Sequence, residues 1–301
     1  MGIPVLNAND IETLVEDCKV IGEAQKGGQK IVFPCLINGE KCALKLILLS
    51  DESENIDVQK ELIIDTVCAR ATREIEIMGI VNCDHIVKLS NIPLTRIKHN
   101  GQDMLMYSEE WIEGHAVDKL IKNSQISLLE CVKMCIDITK AISNIWSISV
   151  VHRDIKPQNI IRKDDGNYVL LDMGLALDLS DKSLTQYGVV PGTKIYFSPE
   201  QLDFMHKRHI DFRSDLFSLG IVVYEALTGT HPFYQLGMSD SELFQKIITE
   251  SVIPPKRINN LIPEELNTLV CRMLSKQPNG RFRKCEFLLE ELEKIMSILG
   301  E

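Results

Sequence analysis

The stretch that decides the fold is Val151-His-Arg-Asp-Ile-Lys-Pro-Gln-Asn159, with Asp172-Met-Gly174 beginning thirteen residues beyond Asn159. Within six positions it supplies a carboxylate, an ammonium and an amide, from Asp154, Lys156 and Asn159, and Asp172 returns a second carboxylate at the end of a short hairpin. Magnesium is a hard cation that takes oxygen ligands and bridges phosphate oxygens. Asn159 and Asp172 are the residues expected to hold it, leaving Asp154 to orient a hydroxyl and accept its proton. Lys156 would then neutralise charge on the group being transferred. A loop of ordinary turn residues is the bland alternative, and the complete set at this spacing argues against it.

The first third of the chain reads mostly as strands, and the rest, after about Gly114, mostly as helices. Asn9, with Glu12 three residues later, is expected to cap a short helix over 9–17. Residues 30–37 and 41–48 are β-rich runs separated by Asn38-Gly39-Glu40, a hairpin signal. Residues 50–57, SDESENID, read as a solvated acidic insert, and 59–81 carry helical spacing. Further strands are expected at 86–89 and 104–108, the second fed by an Asn100-Gly101 turn. Ser127-Leu-Leu-Glu130 is a capping box that opens a long amphipathic helix reaching about Ser149. Residues 159–162 and 168–171 form the hairpin that leads to Asp172. From Phe212 onward the pattern is helical, ending in an amphipathic helix over 284–299. The fold class expected is α+β, a small sheet-rich lobe followed by a larger helical one.

The composition narrows the function. The 301 residues are 45% hydrophobic and 25% charged, which suits a globular protein. A net charge of −10 disfavours phosphate backbones and anionic membranes, so neither nucleic acid nor membrane is an expected partner. No apolar run approaches the ~18 residues of a membrane helix, and MGIPVLNAND lacks the basic and apolar regions of a signal peptide. Nine cysteines, an odd number with no C-x-x-C, indicate neither a disulfide framework nor a zinc site. A reducing, cytoplasmic setting is the expectation.

The run H-R-D-x-K-P-x-N followed by D-M-G resembles the eukaryotic-type (Hanks-type) serine/threonine protein kinase family, most closely its bacterial stand-alone members. Other motifs follow in order: Ala43-Leu44-Lys45, Glu74 in Arg-Glu-Ile-Glu-Ile-Met, Gly192-Thr193 through Pro199-Glu200, Asp211 to Gly220, and Arg281, where the family's late arginine pairs with the A-P-E glutamate. The resemblance implies a bilobal protein-kinase-like fold with an N-terminal extension at 1–20. A nucleotide-binding N-lobe would span 21–110, a small antiparallel sheet with helix αC. A C-lobe would span 111–301, with catalytic loop, activation segment and substrate-binding surface. It also implies roles. Lys45, held by Glu74, would contact the ATP phosphates; Ile21, Val32, Ala43 and Ile161 would enclose adenine; Glu110 would lie in the hinge; Gly22, Gly27 and Gly28 belong to the phosphate-covering loop. Asp154 would be the base, with Lys156 and Asn159 beside it, and Asn159 and Asp172 would hold Mg2+. Met78, Leu89, His152 and Met173 would stack in an internal spine, so His152 is expected to be packed rather than catalytic. Arg153 would bind a phosphate on the loop 175–191, where Thr185 is the first acceptor expected and Ser180, Ser183 and Tyr187 are others.

The sequence departs from the family pattern in several places. Lys30 stands where the third glycine of the loop belongs, and is expected to point outward, the alternative being a phosphate contact. Met173 replaces the usual Phe. Glu109 falls at the gatekeeper position, normally apolar or threonine, unless the register is one residue out. Lys45 and Glu74 are 29 residues apart, about ten more than the family spacing, because of the acidic insert. The activity implied is ATP- and magnesium-dependent transfer to serine or threonine of protein substrates, with autophosphorylation, in bacterial signalling or phage defence. The alternatives are a pseudokinase acting as a nucleotide-binding scaffold and a small-molecule phosphotransferase of kinase-like fold.

Overall fold

Asn7, rather than Asn9, opens the first helix. In the computed structural model, which describes residues 3, 5–27, 30–51, 58–173, 177–178, 194–202 and 210–300, α1 spans Ala8–Leu14. Asn7 Oδ1 accepts from Asp10 N at 3.1 Å and Asp10 Oδ2 accepts from Asn7 N at 2.9 Å. An aspartate thus takes the place that Glu or Gln usually holds in a capping box, which is why the sequence pattern pointed two residues too late.

The chain divides into two units, residues 1–80 with 87–112, and residues 81–86 with 113–301. The first contains β1 (Cys18–Val20), β2 (Gln25–Gly27), β3 (Lys30–Ile37), β4 (Glu40–Asp51), α2 (Val58–Ile80), β5 (Thr95–His99) and β6 (Gln102–Glu110). The sheet is antiparallel in the order β1-β3-β4-β6-β5, with β2 also pairing with β3. Alternation along a strand sends successive side chains to opposite faces. Ile31, Phe33, Leu44 and Leu46 go to one face, where Leu6, Ile11 and Val15 from the N-terminal segment cover them. Ile47, Leu105 and Tyr107 go to the other, against Ile64, Val67 and Ala71 of α2. Both faces are therefore buried, and the strands read as nearly continuous apolar runs. The strand expected at 86–89 is reduced to two isolated bridges, Ile86 with Leu170 and Leu89 with Glu109. Its two ends serve different units, so no continuous ladder forms.

The second unit is mainly helical. It holds β7 (Gly114–Ala116), α3 (Val117–Lys122), α4 (Leu128–Ser147), β8 (Val150–Val151), β9 (Ile160–Lys163), β10 (Tyr168–Leu170), β11 (Leu177–Asp178), α5 (Pro199–Leu202), α6 (Phe212–Thr228), α7 (Asp240–Thr249), α8 (Pro255–Ile258), α9 (Glu264–Met273) and α10 (Cys285–Gly300). The Ser127 box is present, with Glu130 N donating to Ser127 Oγ at 3.2 Å and Ser127 N to Glu130 Oε2 at 2.9 Å. α6 is buried almost all round, as expected of a helix that is apolar on every side. Gly220 lets α9 approach it: an added Cβ would lie 3.0 Å from Met273 Cβ. Short sheets, β10-β9-β7 and β11-β8, flank the helices. Gly114, at φ +149°, is required where β7 meets β9, since a Cβ there would stand 2.1 Å from Arg162 O. Among the described residues no helix is long and apolar enough to cross a membrane.

Candidate active site

In the helical unit, Asp215 of α6 organises the loop between β8 and β9. Its buried carboxylate accepts from His152 N at 2.8 Å and Arg153 N at 2.9 Å. Burial pushes this carboxyl up, and the two amides oppose that shift. Gripping two successive amides turns the chain sharply, and Arg153 takes a left-handed φ of 69°. Such strain costs on the order of 1–3 kcal/mol and survives only where surrounding contacts impose it. His152 is fully buried; its Nδ1 accepts from Asp154 N at 3.2 Å, which leaves Nε2 to donate to Leu171 O at 3.3 Å. It braces the loop as a packed residue.

Asp154, Lys156 and Asn159 come together. Asp154 Oδ2 accepts from Lys156 Nζ at 2.7 Å and from Asn159 Nδ2 at 3.0 Å. Asn159 sits in a 3-10 turn over Pro157–Asn159, where proline's fixed φ suits the first position. Its Nδ2 also donates to Asp154 O at 3.0 Å. The amide nitrogen is thus committed to Asp154, and Oδ1 is the atom left to a cation. Leu171 N donates to Asn159 O at 2.8 Å, tying the return of the hairpin to this loop. Asp172 follows at φ 62°, a second strained residue at the same place. An amide oxygen and a carboxylate are hard donors, and Mg2+ characteristically takes only one or two protein carboxylates alongside substrate phosphates. The residues fit that ion. Among the described residues no group of three or more His, Cys, Asp or Glu offers a fuller metal cage.

The sheet unit builds a second polar cluster. Lys45 lies opposite Val32 on one side and Tyr107 on the other, and Ala43 lies opposite Glu109, so all share the face towards α2. Lys45 Nζ donates to Glu109 Oε1 in a very short contact, lies 3.9 Å from Glu74 Oε1, and sits 5.7 Å from the Tyr107 ring centre. Glu109 is therefore the carboxylate beside the lysine. Burial pushes its carboxyl up; Lys45 opposes this and Glu74 adds to it. Lys30 corrects the outward expectation. It shares the face of Val32 and Lys45, and its ammonium contacts Glu74 at 3.1 and 3.3 Å. Period-two alternation from Val32 was the signal in the sequence that could have placed it there.

The remaining candidates are placed as follows. Ile21 is largely exposed, its N–H bonded to Pro34 O at 2.9 Å, and Gly22 follows it in a bend. Gly27 ends β2 opposite Lys30, and Gly28 lies outside the described residues. Val32 and Ala43 are half-buried in the sheet unit, and Ile161 is half-buried in β9 of the helical unit. Glu110 is tied to Lys88: its N–H donates to Lys88 O and its Oε1 accepts from Lys88 N, both at 2.9 Å. Ser180, Ser183, Thr185 and Tyr187 lie outside the described residues. Further along, Arg281 meets Glu200 as the family pattern implied, at 2.6 and 2.9 Å.

Comparison with known proteins agrees with this geometry. Residues 16–292 match the family described as protein kinase domain. A probable serine/threonine-protein kinase of Clostridium perfringens is 35% identical over 70% of this chain and 30% of its own length. Serine/threonine-protein kinase PknB of Mycolicibacterium smegmatis is 30% identical over 62% of this chain and 29% of its own. Tyrosine-protein kinase MasK of Myxococcus xanthus is 33% identical over 50% of this chain and 22% of its own. The chain thus spans less than a third of the length of these relatives. With residues 16–292 matching that family, an aspartate held by lysine and asparagine, a strand lysine beside a helix glutamate and a buried arginine on the later glutamate, the chain belongs to the Hanks-type protein kinase family.

Proposed function

We propose that this chain transfers the γ-phosphoryl group of ATP to serine or threonine hydroxyls of protein substrates. The observation that carries the reading is Asp154, whose carboxylate is oriented by Lys156 and Asn159 in a loop pinned by Asp215. Asp154 orients the acceptor hydroxyl and takes its proton, and Lys156 offsets negative charge on the group in transfer. Asn159 and Asp172 would hold Mg2+, which supplies charge neutralisation on the phosphate oxygens. Lys45 serves the phosphates and Glu74 positions Lys45. Residues 21–110 bind nucleotide, with Ile21, Val32 and Ala43 contributing to the adenine site along with Ile161; Gly22, Gly27 and Gly28 cover phosphates, and Glu110 belongs to the hinge segment. Residues 111–301 bear catalysis and peptide binding, and residues 1–20 are an N-terminal extension. Lys156 and the names of most relatives favour serine or threonine over tyrosine. The setting is the bacterial cytoplasm, in signalling or phage defence, with autophosphorylation on the loop containing Thr185 and the phosphate received by Arg153.

A scaffold without transfer activity is favoured by one observation, the engagement of Lys45 by Glu109. Incubating purified protein with labelled ATP and Mg2+, alone and with host lysate, decides between them. Phosphoserine or phosphothreonine mapped by mass spectrometry is the expected outcome. Nucleotide binding without any transfer supports the scaffold, and phosphotyrosine alone overturns the assignment of acceptor.

A further inference from the structure

Four charged side chains on one face of the sheet unit share partners unequally. Lys30 on β3 holds both carboxylate oxygens of Glu74 on α2, at 3.3 and 3.1 Å. Lys45 on β4 stands 3.9 Å from Glu74 but is hydrogen-bonded to Glu109 on β6. Glu74, Glu109 and Lys45 are 1%, 2% and 7% exposed. Glu74 therefore keeps an ammonium whether or not Lys45 is present. Glu109 does not: among the described residues Lys45 is the cation in ion-pair contact with it, Lys30 acts on it only as a more distant charge, and Leu89 lies across an isolated bridge. A buried carboxylate stripped of its counter-charge is costly and relieves that cost by binding a proton.

Resting on the reading that Lys45 serves the ATP phosphates, we infer that Glu109 is a positioning residue that holds Lys45 when it is not engaged by nucleotide and takes up a proton when Lys45 turns to the nucleotide. The exchange balances: the ammonium keeps its protons and exchanges one oxyanion partner for another, and Glu109 gains one proton from solvent. Burial and the nearby Glu74 charge both push the Glu109 carboxyl up already with Lys45 beside it, and Lys30 opposes them less than Lys45 does, so withdrawing Lys45 moves it further the same way. Glu225 in the helical unit shows the limit. It is half-buried, accepts from Tyr196 Oη at 2.7 Å, has no ion-pair partner among the described residues, and is pushed up by desolvation to about 7.

The sign follows from linkage. Binding that takes up a proton weakens as pH rises, between the pH at which Glu109 titrates beside Lys45 and the higher pH at which it titrates without it. The limit is one proton, or tenfold in affinity per pH unit. Lys30 and Glu74 keep their own contact throughout.

The test is calorimetry of ADP binding by the full chain in two buffers of different ionisation enthalpy, across pH, for wild type and Glu109→Gln. The difference between the two proteins removes the titration of the ligand itself. Wild type is expected to take up more protons than the variant, by as much as one, and to lose affinity with rising pH by up to tenfold per unit relative to it. Equal proton uptake and parallel pH profiles would overturn the inference while leaving nucleotide binding in place, whereas absence of binding in the wild type would overturn the kinase reading instead. Infrared difference spectra of the wild type alone provide the second arm, should the variant not fold. A protonated-carboxyl band that appears with ADP but not with adenosine, which has no phosphate to draw Lys45, supports the exchange; the same spectrum with both ligands refutes it.

Discussion

Arg281 and Lys45 are both buried cations facing carboxylates, yet the structure uses them in opposite ways. Arg281 spends its donors on fixed acceptors: both oxygens of Glu200 and the carbonyls of Ser275, Arg213 and Lys276, at 2.6–3.1 Å. Ser214 Oγ adds a bond to Glu200 Oε1 at 2.6 Å. Nothing in that set is left to exchange. Lys45 instead lies among two carboxylates and an aromatic ring, with Lys30 beside it holding one of the two. A planar guanidinium fork suits a fixed joint, whereas a compact ammonium on a flexible stem can change partners. Burial of a charge thus says little by itself about its purpose; the number of alternative partners says more.

The loop that carries Asp154 belongs with the fixed joints, and the largest effect is expected there. Asp154→Asn should lower turnover at least ~10²-fold, since general-base catalysis supplies that much, while ATP affinity and melting temperature stay close to wild type. Single-turnover assays and calorimetry measure both, and residual transfer above about a tenth of wild type would remove Asp154 from the role of base. Next comes the joint itself. Arg281→Met leaves Glu200 buried without its cation and should cost about 3–5 kcal/mol in denaturant unfolding. Lys45→Met should cost distinctly less, because Glu109 can accept a proton; equal losses would erase the contrast drawn here.

Glu225 offers a third case, a half-buried carboxyl answered by a hydroxyl. Its folded value of about 7 lies above the ordinary 4.5, so folding favours its protonated form. The associated stability is fully present below about 4.5 and is lost as pH rises towards 7. His231 runs the other way: burial lowers it to about 4 from 6.5, so its contribution is lost as pH falls through that window. Glu225→Gln removes only the first effect. Relative to the variant, wild type should lose roughly 2–3 kcal/mol between those limits, read from chemical denaturation at a series of pH values. The smallest effect is expected from Lys30→Met, whose ammonium is partly exposed. Glu74 and Glu109 then compete for Lys45 alone, and kcat/KM should fall about tenfold, ~1.4 kcal/mol, with the fold intact. A rise in activity would mean that Lys30 restrains Glu74 instead of supporting it.

What the sequence by itself determined is what local chemistry determines. The spacing of Asp154, Lys156, Asn159 and Asp172, through its resemblance to protein kinase motifs, was legible as the family's, and the family is what the chain belongs to. The Ser127 capping box and the Asn38-Gly39 hairpin were legible, since caps and tight turns depend on neighbours in sequence. The first helix was legible in kind but not in its start, because Asn7 with Asp10 and Asn9 with Glu12 present nearly the same pattern. Only the tertiary structure decided which carboxylate Lys45 meets, that Lys30 turns inward, and that Leu6, Ile11 and Val15 cover a sheet face. Lys30, Lys45, Glu74 and Glu109 come from four different elements, and their pairing depends on strand register and on the placement of α2. A charge pair between distant segments leaves no periodic trace in sequence; its energy exists only once burial has removed the water that would otherwise screen it.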